Sequence, residues 1–272
     1  MTNNCHLFFE DNFEGRISVS QNPGTSKGVC FTENVQLLIF NKLPDSFDID
    51  FVSQKLKTGV IYIIPPDHKY FIGLNASCQF FCLDISITIL DAKFRQLLNA
   101  IAYQEDKSVE ILNPSDFLSW VTNLNKSNSA NEITEILKQK IIEECDKNPK
   151  REYLEIQEET YSLGNRFLDL LLQEDFNIEF TIKYYASKLG CCTKTLQRAC
   201  LLNFKIAPQK MIRHHLFIKS LRLLSDKNVS IENVALKLGY STHNAFCKFT
   251  KAYIDLTPRE IRRKLLYSDS YL

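Results

Sequence analysis

Two stretches in the last third of the chain, 181–198 and 231–251, repeat one pattern about 50 residues apart, and this duplication constrains the fold more than any other feature. In the first, Ile182, Ala186 and Leu189 fall at helical spacing and Gly190 breaks the run. A polar helix over 193–198 follows, around the apolar pin Leu196. In the second, Ile231, Val234, Ala235 and Leu238 form one apolar face and Gly239 closes that helix as a left-handed cap. Ser241 or Thr242 then caps the next helix. Phe246 and Phe249 anchor that later helix, leaving His243, Asn244, Cys247, Lys248 and Lys251 largely outside. Short helices joined by a glycine turn, the second polar on its outward face, suit insertion into a major groove about 12 Å wide. The same periodicity also fits two ordinary helical hairpins in an all-helical domain.

Charge separates these readings. Residues 176–272 hold 17 Lys and Arg against 6 Asp and Glu, a net of +11, whereas residues 1–175 hold 16 against 26, a net of −10. The whole-chain value of +1 conceals an acidic body joined to a basic tail. A basic domain is the electrostatic footprint of a polyanion partner, because each neutralised phosphate releases condensed counterions. A solvated basic face accounts for any single lysine, so the weight lies in the excess coinciding with the paired hairpins.

The run IENVALKLGYSTHNAFCKFTK at 231–251, followed by LTPREIR at 256–262, resembles the signature of AraC-type transcriptional regulators. Upstream, YASKLG at 185–190, TLQR at 195–198 and then Pro208 are similar to that family's first helix-turn-helix. The resemblance covers about 90 residues. It implies a seven-helix DNA-binding domain in which a long central helix, about 208–225, separates two recognition helices. Both would lie in adjacent major-groove segments on one DNA face, a helical repeat of roughly 34 Å apart. The chain departs from the pattern where Cys192 occupies the usual Ser cap, Lys205 and Asp255 stand where glycines are common, and Thr250 replaces a usual Phe. Cys caps less well than Ser unless neighbouring Thr193 takes the role. Phe249 beside Thr250 supplies a replacement apolar contact, at the risk of rotating that helix by one residue.

The resemblance places Lys194, Gln197 and Arg198 at outward positions that reach DNA, and their chemistry agrees. Arg forks to guanine O6 and N7 and Gln pairs with adenine N6 and N7, each worth ~1–3 kcal/mol of discrimination when bidentate. For Arg198 a salt bridge or phosphate clamp is the competing role, and Lys194 suits phosphate. His243, Asn244 and Lys248, with Lys251, are the candidates on the second helix, while Arg259, Arg262, Arg263 and Lys264 read as phosphate or solvent charges. Leu189, Leu196, Leu238 and Phe246 read as core.

The fold class expected is α+β: a β-rich sensor with helices over 1–175, then an all-α DNA-binding domain with two helix-turn-helix units over 176–272. Strand-like runs at 35–40, 47–52, 60–64 and 79–87 are separated by turn residues and suggest a sandwich or small barrel. The resembled family commonly carries a cupin-like barrel there, and Pro-Pro-Asp-His at 65–68 looks like a fragment of that pattern. The other cupin metal ligands are not visible, so His68 reads as a surface or hydrogen-bonding histidine. Phe40, Phe51, Tyr62 and Phe71 fit either the lining of a small-molecule effector site or ordinary core. Helical patterns follow at 89–103, 114–124, 133–145 and 153–172, with polar breaks at 105–108 and 125–130 and connections at 146–151 and 174–177. Helices after the barrel often mediate dimerisation in the family, which implies a homodimer.

No run of about 18 apolar residues and no basic start followed by an apolar core is present, so a cytoplasmic location without a membrane partner is expected. The nine cysteines lack a regular framework and zinc-ligand spacing, so no metal or cofactor is expected. Neither a nucleophile elbow nor a phosphate loop suggests an enzyme. Some relatives of the resembled family repair alkylated DNA through an acceptor cysteine in a Pro-Cys-His-Arg setting, and that setting is missing here. A non-specific architectural DNA binder remains the other alternative. The reading is a sequence-specific regulator, by resemblance an activator, with double-stranded DNA as partner and RNA polymerase and a small-molecule effector as further partners the resemblance implies.

Overall fold

The computed structural model describes residues 6–11, 15–21, 29–31, 34–73, 78–91, 94–95, 97–98, 101, 108–110, 114–122, 129–146, 163–173, 181–204 and 206–267. The chain divides into two compact units, Met1–Ile156 and Gln157–Leu272. Among the described residues, no helix is long and apolar enough to cross a membrane.

The first unit contains strands β1 (His6–Asp11), β2 (Gly15–Gln21), β3 (Val29–Phe31), β4 (Val35–Lys42), β5 (Ser46–Ile49), β6 (Val52–Ser53), β7 (Val60–Ile64), β8 (Lys69–Gly73), β9 (Gln79–Ile85) and β10 (Ser108–Glu110). They pair antiparallel in two sheets ordered β1-β2-β9-β4-β7-β10 and β3-β8-β5-β6. Helices α1 (Pro114–Thr122) and α2 (Ala130–Asp146) follow. The larger sheet is apolar on both sides. Leu38, Phe40, Tyr62, Ile64, Phe80 and Cys82 meet Phe47, Ile49, Tyr70 and Ile72 of the smaller sheet. Leu37, Ile39, Ile61, Ile63 and Leu83 on the reverse meet Phe117, Ile133, Leu137 and Ile141 of α1 and α2. This double burial is why β7 reads as a continuous apolar run rather than an alternating one.

The expected cupin-like barrel is not formed. The two sheets are open, each ending in strands with no partner across to the other sheet, and neither curls onto itself among the described residues. The part of the fold class that stands is a β-rich N-terminal region followed by a multi-helical C-terminal domain. Alternating aromatics do not distinguish a barrel interior from the seam between two packed sheets. Here they fill the seam: Phe40 lies 5.3, 5.7 and 5.6 Å from the rings of Phe47, Tyr62 and Phe80. Tyr62 donates its hydroxyl to the Lys55 carbonyl at 2.7 Å and accepts from the Lys57 amide. Phe51 and Phe71 are only half-buried.

The run expected as a strand over 47–52 breaks into β5 and β6, because Asp50 and Phe51 both take positive φ, 54° and 63°. With Ile49 paired to Val52, these two residues form a tight hairpin loop of the kind that needs φ above zero at both positions. The Asp50 carboxylate holds it, accepting from the Lys69 amide at 3.0 Å and lying 2.7 Å from Nδ1 of buried His68. His68 is therefore a hydrogen-bonding histidine. β10 falls on the edge of a segment expected as a polar break. The helical patterns at 89–103 and 153–172 and the connection at 146–151 fall partly outside the described residues, and the connection at 174–177 falls wholly outside them.

The second unit is helical: α3 (Leu163–Gln173), α4 (Ile182–Lys188), α5 (Thr193–Phe204), α6 (Pro208–Leu224), α7 (Ile231–Lys237), α8 (His243–Ile254) and α9 (Pro258–Tyr267). α3 packs on α5 and α6, with Phe167 edge-on to Tyr185 of α4 at 5.3 Å. α6 is the axle. Met211, Ile212, Leu216, Phe217, Ile218, Leu221 and Leu224 bury most of its circumference, and α3, α4, α5, α7 and α9 all pack against it.

Candidate nucleic-acid interface

The two halves of the second unit are built alike down to their caps. After α4, the Cys191 amide donates to Ala186 O at 2.9 Å and the Gly190 amide to Ser187 O at 3.1 Å. After α7, the Tyr240 amide donates to Ala235 O at 2.9 Å and the Gly239 amide to Leu236 O at 3.0 Å. Each is a left-handed helix stop, with φ of 67° at Gly190 and 81° at Gly239. Nothing lies within 4 Å of where a Gly190 side chain would begin, so glycine is required there for its backbone angle and not for space. Thr181, Ser230 and Thr242 cap α4, α7 and α8 through side-chain oxygens that accept from Tyr184, Asn233 and Ala245 amides.

α5 is capped by Cys192 itself. Its Sγ accepts from the Thr195 amide at 3.4 Å and lies 3.1 Å from Thr195 Oγ1. These hydrogen bonds, the hydroxyl first and the amide second, hold the exposed thiol below its usual pKa. Sulfur is a weaker acceptor than a hydroxyl oxygen. Cys192→Ser is expected to raise the thermal midpoint of the second unit by a few degrees. An unchanged or lowered midpoint in a calorimetric scan would show that the sulfur cap is not the weak point of α5.

From cap to cap, α5 and α8 run in step at an offset of 50 residues. Leu196 and Phe246 are fully buried pins, and one turn on Cys200 and Thr250 are equally buried. Thr250 donates its hydroxyl to Cys247 O at 3.2 Å, which lets a polar side chain occupy an inward position. Phe249 stays half-buried, its ring 5.6 Å from Tyr240 and 6.1 Å from Tyr253. The exchange of Phe for Thr therefore leaves the inward face of α8 in register with that of α5. Asp255 takes φ 58° and closes α8 as a left-handed cap, its amide donating to Lys251 O at 2.9 Å, which explains why that position favours glycine. Lys205 lies outside the described residues.

What remains outward is polar apart from two leucines of α5. Lys194, Gln197 and Arg198 are exposed on α5, and Asn244, Lys248 and Lys251 are exposed on α8. His243 is half-buried, with Cys247 Sγ 3.5 Å from its Nε2, and burial lifts the Cys247 thiol pKa. Arg259, Arg263 and Lys264 are exposed on α9. Arg262 is differently placed. Its Nε donates to Leu224 O at 3.1 Å and its Nη2 to Val229 O at 2.7 Å, so it ties α9 to the C-terminal end of α6 and to the turn before α7. α9 opens with a reciprocal capping box between Thr257 and Glu260, whose hydrogen bonds depress the Glu260 pKa. Two side chains on the outward face of α5 escaped the sequence reading, Leu201 and Leu202, at 42% and 60% exposure. Their signal was present in the numbering, since 201 continues the 194–197 row at helical spacing.

Residues 185–264 match the family profile described as a helix-turn-helix domain. The match spans less than a third of the chain. No curated protein sequence matches the chain significantly. Among solved structures, ToxT from Vibrio cholerae O395 is 11% identical with a TM-score of 0.50, over 93% of this chain and 99% of that one. Unsaturated fatty acid bound wild-type ToxT from Vibrio cholerae strain SCE256 is 13% identical, with a TM-score of 0.47 over 95% and 98%. A transcriptional regulator of the AraC-type DNA-binding group from Chromobacterium violaceum is 19% identical, with a TM-score of 0.35 over 39% of this chain and 93% of that one. The first of these comparisons shows a shared fold at low sequence identity.

Proposed function

We propose that the chain is a sequence-specific transcriptional regulator that reads double-stranded DNA through α5 and α8. The observation that carries this reading is the duplicated, capped helix pair. Each copy ends in a helix whose inward face is a buried pin and whose outward face is Lys194, Gln197 and Arg198 or Asn244, Lys248 and Lys251. That pair sits within a segment of net charge +11. Lysines and the α9 arginines Arg259 and Arg263 position the module on phosphates, and Gln197, Arg198, His243 and Asn244 select bases. In this reading residues 176–272 bind DNA, with α3 packed behind α5 and α6 in the same unit, and the first unit forms a sensor and dimerisation part that changes DNA competence when a small-molecule effector binds. The working form is a cytoplasmic homodimer that acts as an activator by meeting RNA polymerase, as the AraC-type resemblance implies. The reading requires no catalytic centre.

The test is selection of bound duplexes from a random pool by the full-length protein at near-physiological salt, followed by a salt titration on the winning site. The expected result is an enriched motif of two blocks about one helical turn apart, ~10 base pairs centre to centre. A steep salt dependence with no enriched sequence would replace this reading with non-specific architectural binding.

A further inference from the structure

The outward face of α5 carries an apolar residue where its copy in α8 carries a cation. Leu201 stands 50 positions before Lys251, at the same distance from the cap and on the same exposed face. It follows Lys194 by two turns and Gln197 and Arg198 by one, so all four side chains form one row about 10 Å long. Leu202 lies beside it, one turn beyond Arg198. A single exposed leucine requires no special cause. A leucine continuing a row of hydrogen-bonding side chains on a groove-facing helix does require a partner, because docking strips it of water whatever lies opposite.

Base edges in the major groove present nitrogen and oxygen donors and acceptors and one apolar group, the C5-methyl of thymine. We infer that Leu201 is a specificity-determining residue that seats on a thymine methyl, beside the bases read by Gln197 and Arg198. The inference rests on the DNA-reading assignment of α5 and deepens it: the first half of the module discriminates in part by apolar contact, whereas the second, with Lys251 at the matching place, does not.

The test uses full-length protein and its selected duplex, with each thymine replaced singly by deoxyuridine, which removes the methyl and keeps the Watson–Crick pairing. Binding of the unaltered protein is expected to weaken about fourfold at one or two thymines, the worth of one methyl group taken out of water. Leu201→Ala is expected to lose that sensitivity at the same thymine, while Leu201→Met, which keeps an apolar side chain of similar volume, retains it. Leu201 is exposed, so both variants keep the buried core of the unit intact. Selective binding that is indifferent to every deoxyuridine substitution would overturn the inference and leave the DNA-reading assignment standing, as would a Leu201→Ala protein still sensitive at that thymine. Failure to select any sequence would overturn both.

Discussion

Phe246→Ala is expected to remove about 3–5 kcal/mol from the stability of the C-terminal unit, as truncation of a fully buried aromatic does. A domain of ordinary marginal stability holds only ~5–15 kcal/mol, so a large share of the protein would lose the fold of this unit under mild denaturant. Phe246 has no exposed surface, lies one turn inside α8 from its Thr242 cap, and packs its ring 5.4 Å from that of Tyr240 in the preceding turn. Removing it takes away the pin that fixes α8 on α7. The effect on DNA should follow from folding alone: affinity falls with the folded fraction, and the order of preferred sequences stays the same. Urea unfolding of the full chain followed by fluorescence, with duplex binding measured in parallel, checks both parts. A loss under about 1 kcal/mol, or a changed sequence preference at full folding, would put Phe246 on the reading face instead of in the core.

The repeat, its glycine stops, its caps and its buried pins were legible in the sequence because each is local. A left-handed glycine, a Ser or Thr cap and an apolar residue four positions later lie within one or two turns of each other. Features decided by distant parts of the chain were not. Arg262 looks like Arg259 and Arg263 in the sequence, yet its partners are carbonyls 33 and 38 residues away. Thr250 reads as a lost apolar contact until its hydroxyl is found satisfied by the helix's own Cys247 carbonyl. In the first unit, the strands at 35–42, 60–64 and 79–85 follow from β-rich composition, but closure of a sheet does not. Alternation reports which residues are buried, and the seam between two open sheets buries the same aromatics as a barrel interior. The break at Asp50 and Phe51 was hidden for a related reason: Phe favours strands, and only the carboxylate of Asp50, held by Lys69 and His68, makes a two-residue hairpin loop there.

Arg198→Ala and Arg263→Ala should weaken DNA binding in different ways, although each removes one exposed guanidinium from the same unit. Arg198 projects from the middle of α5, between Gln197 and the Leu201 turn, and in the proposed reading its guanidinium forks to guanine O6 and N7. Its loss is expected to cost ~1–3 kcal/mol on the selected site and little on random duplex, and to relax the preference at one base pair. Arg263 lies on α9, outside the two recognition helices, with Arg262 beside it committed to backbone carbonyls. Its loss is expected to weaken every duplex by a similar factor and to reduce the slope of log affinity against log salt by about 1. The discriminating quantity is therefore the ratio of specific to random binding, measured by competition at two salt concentrations. Arg198→Ala lowers that ratio and Arg263→Ala preserves it. Equal losses on specific and random duplexes for both variants would move Arg198 from the bases to the phosphates, and sequence selection by the first half of the module would then fall to Gln197 and its neighbours on α5.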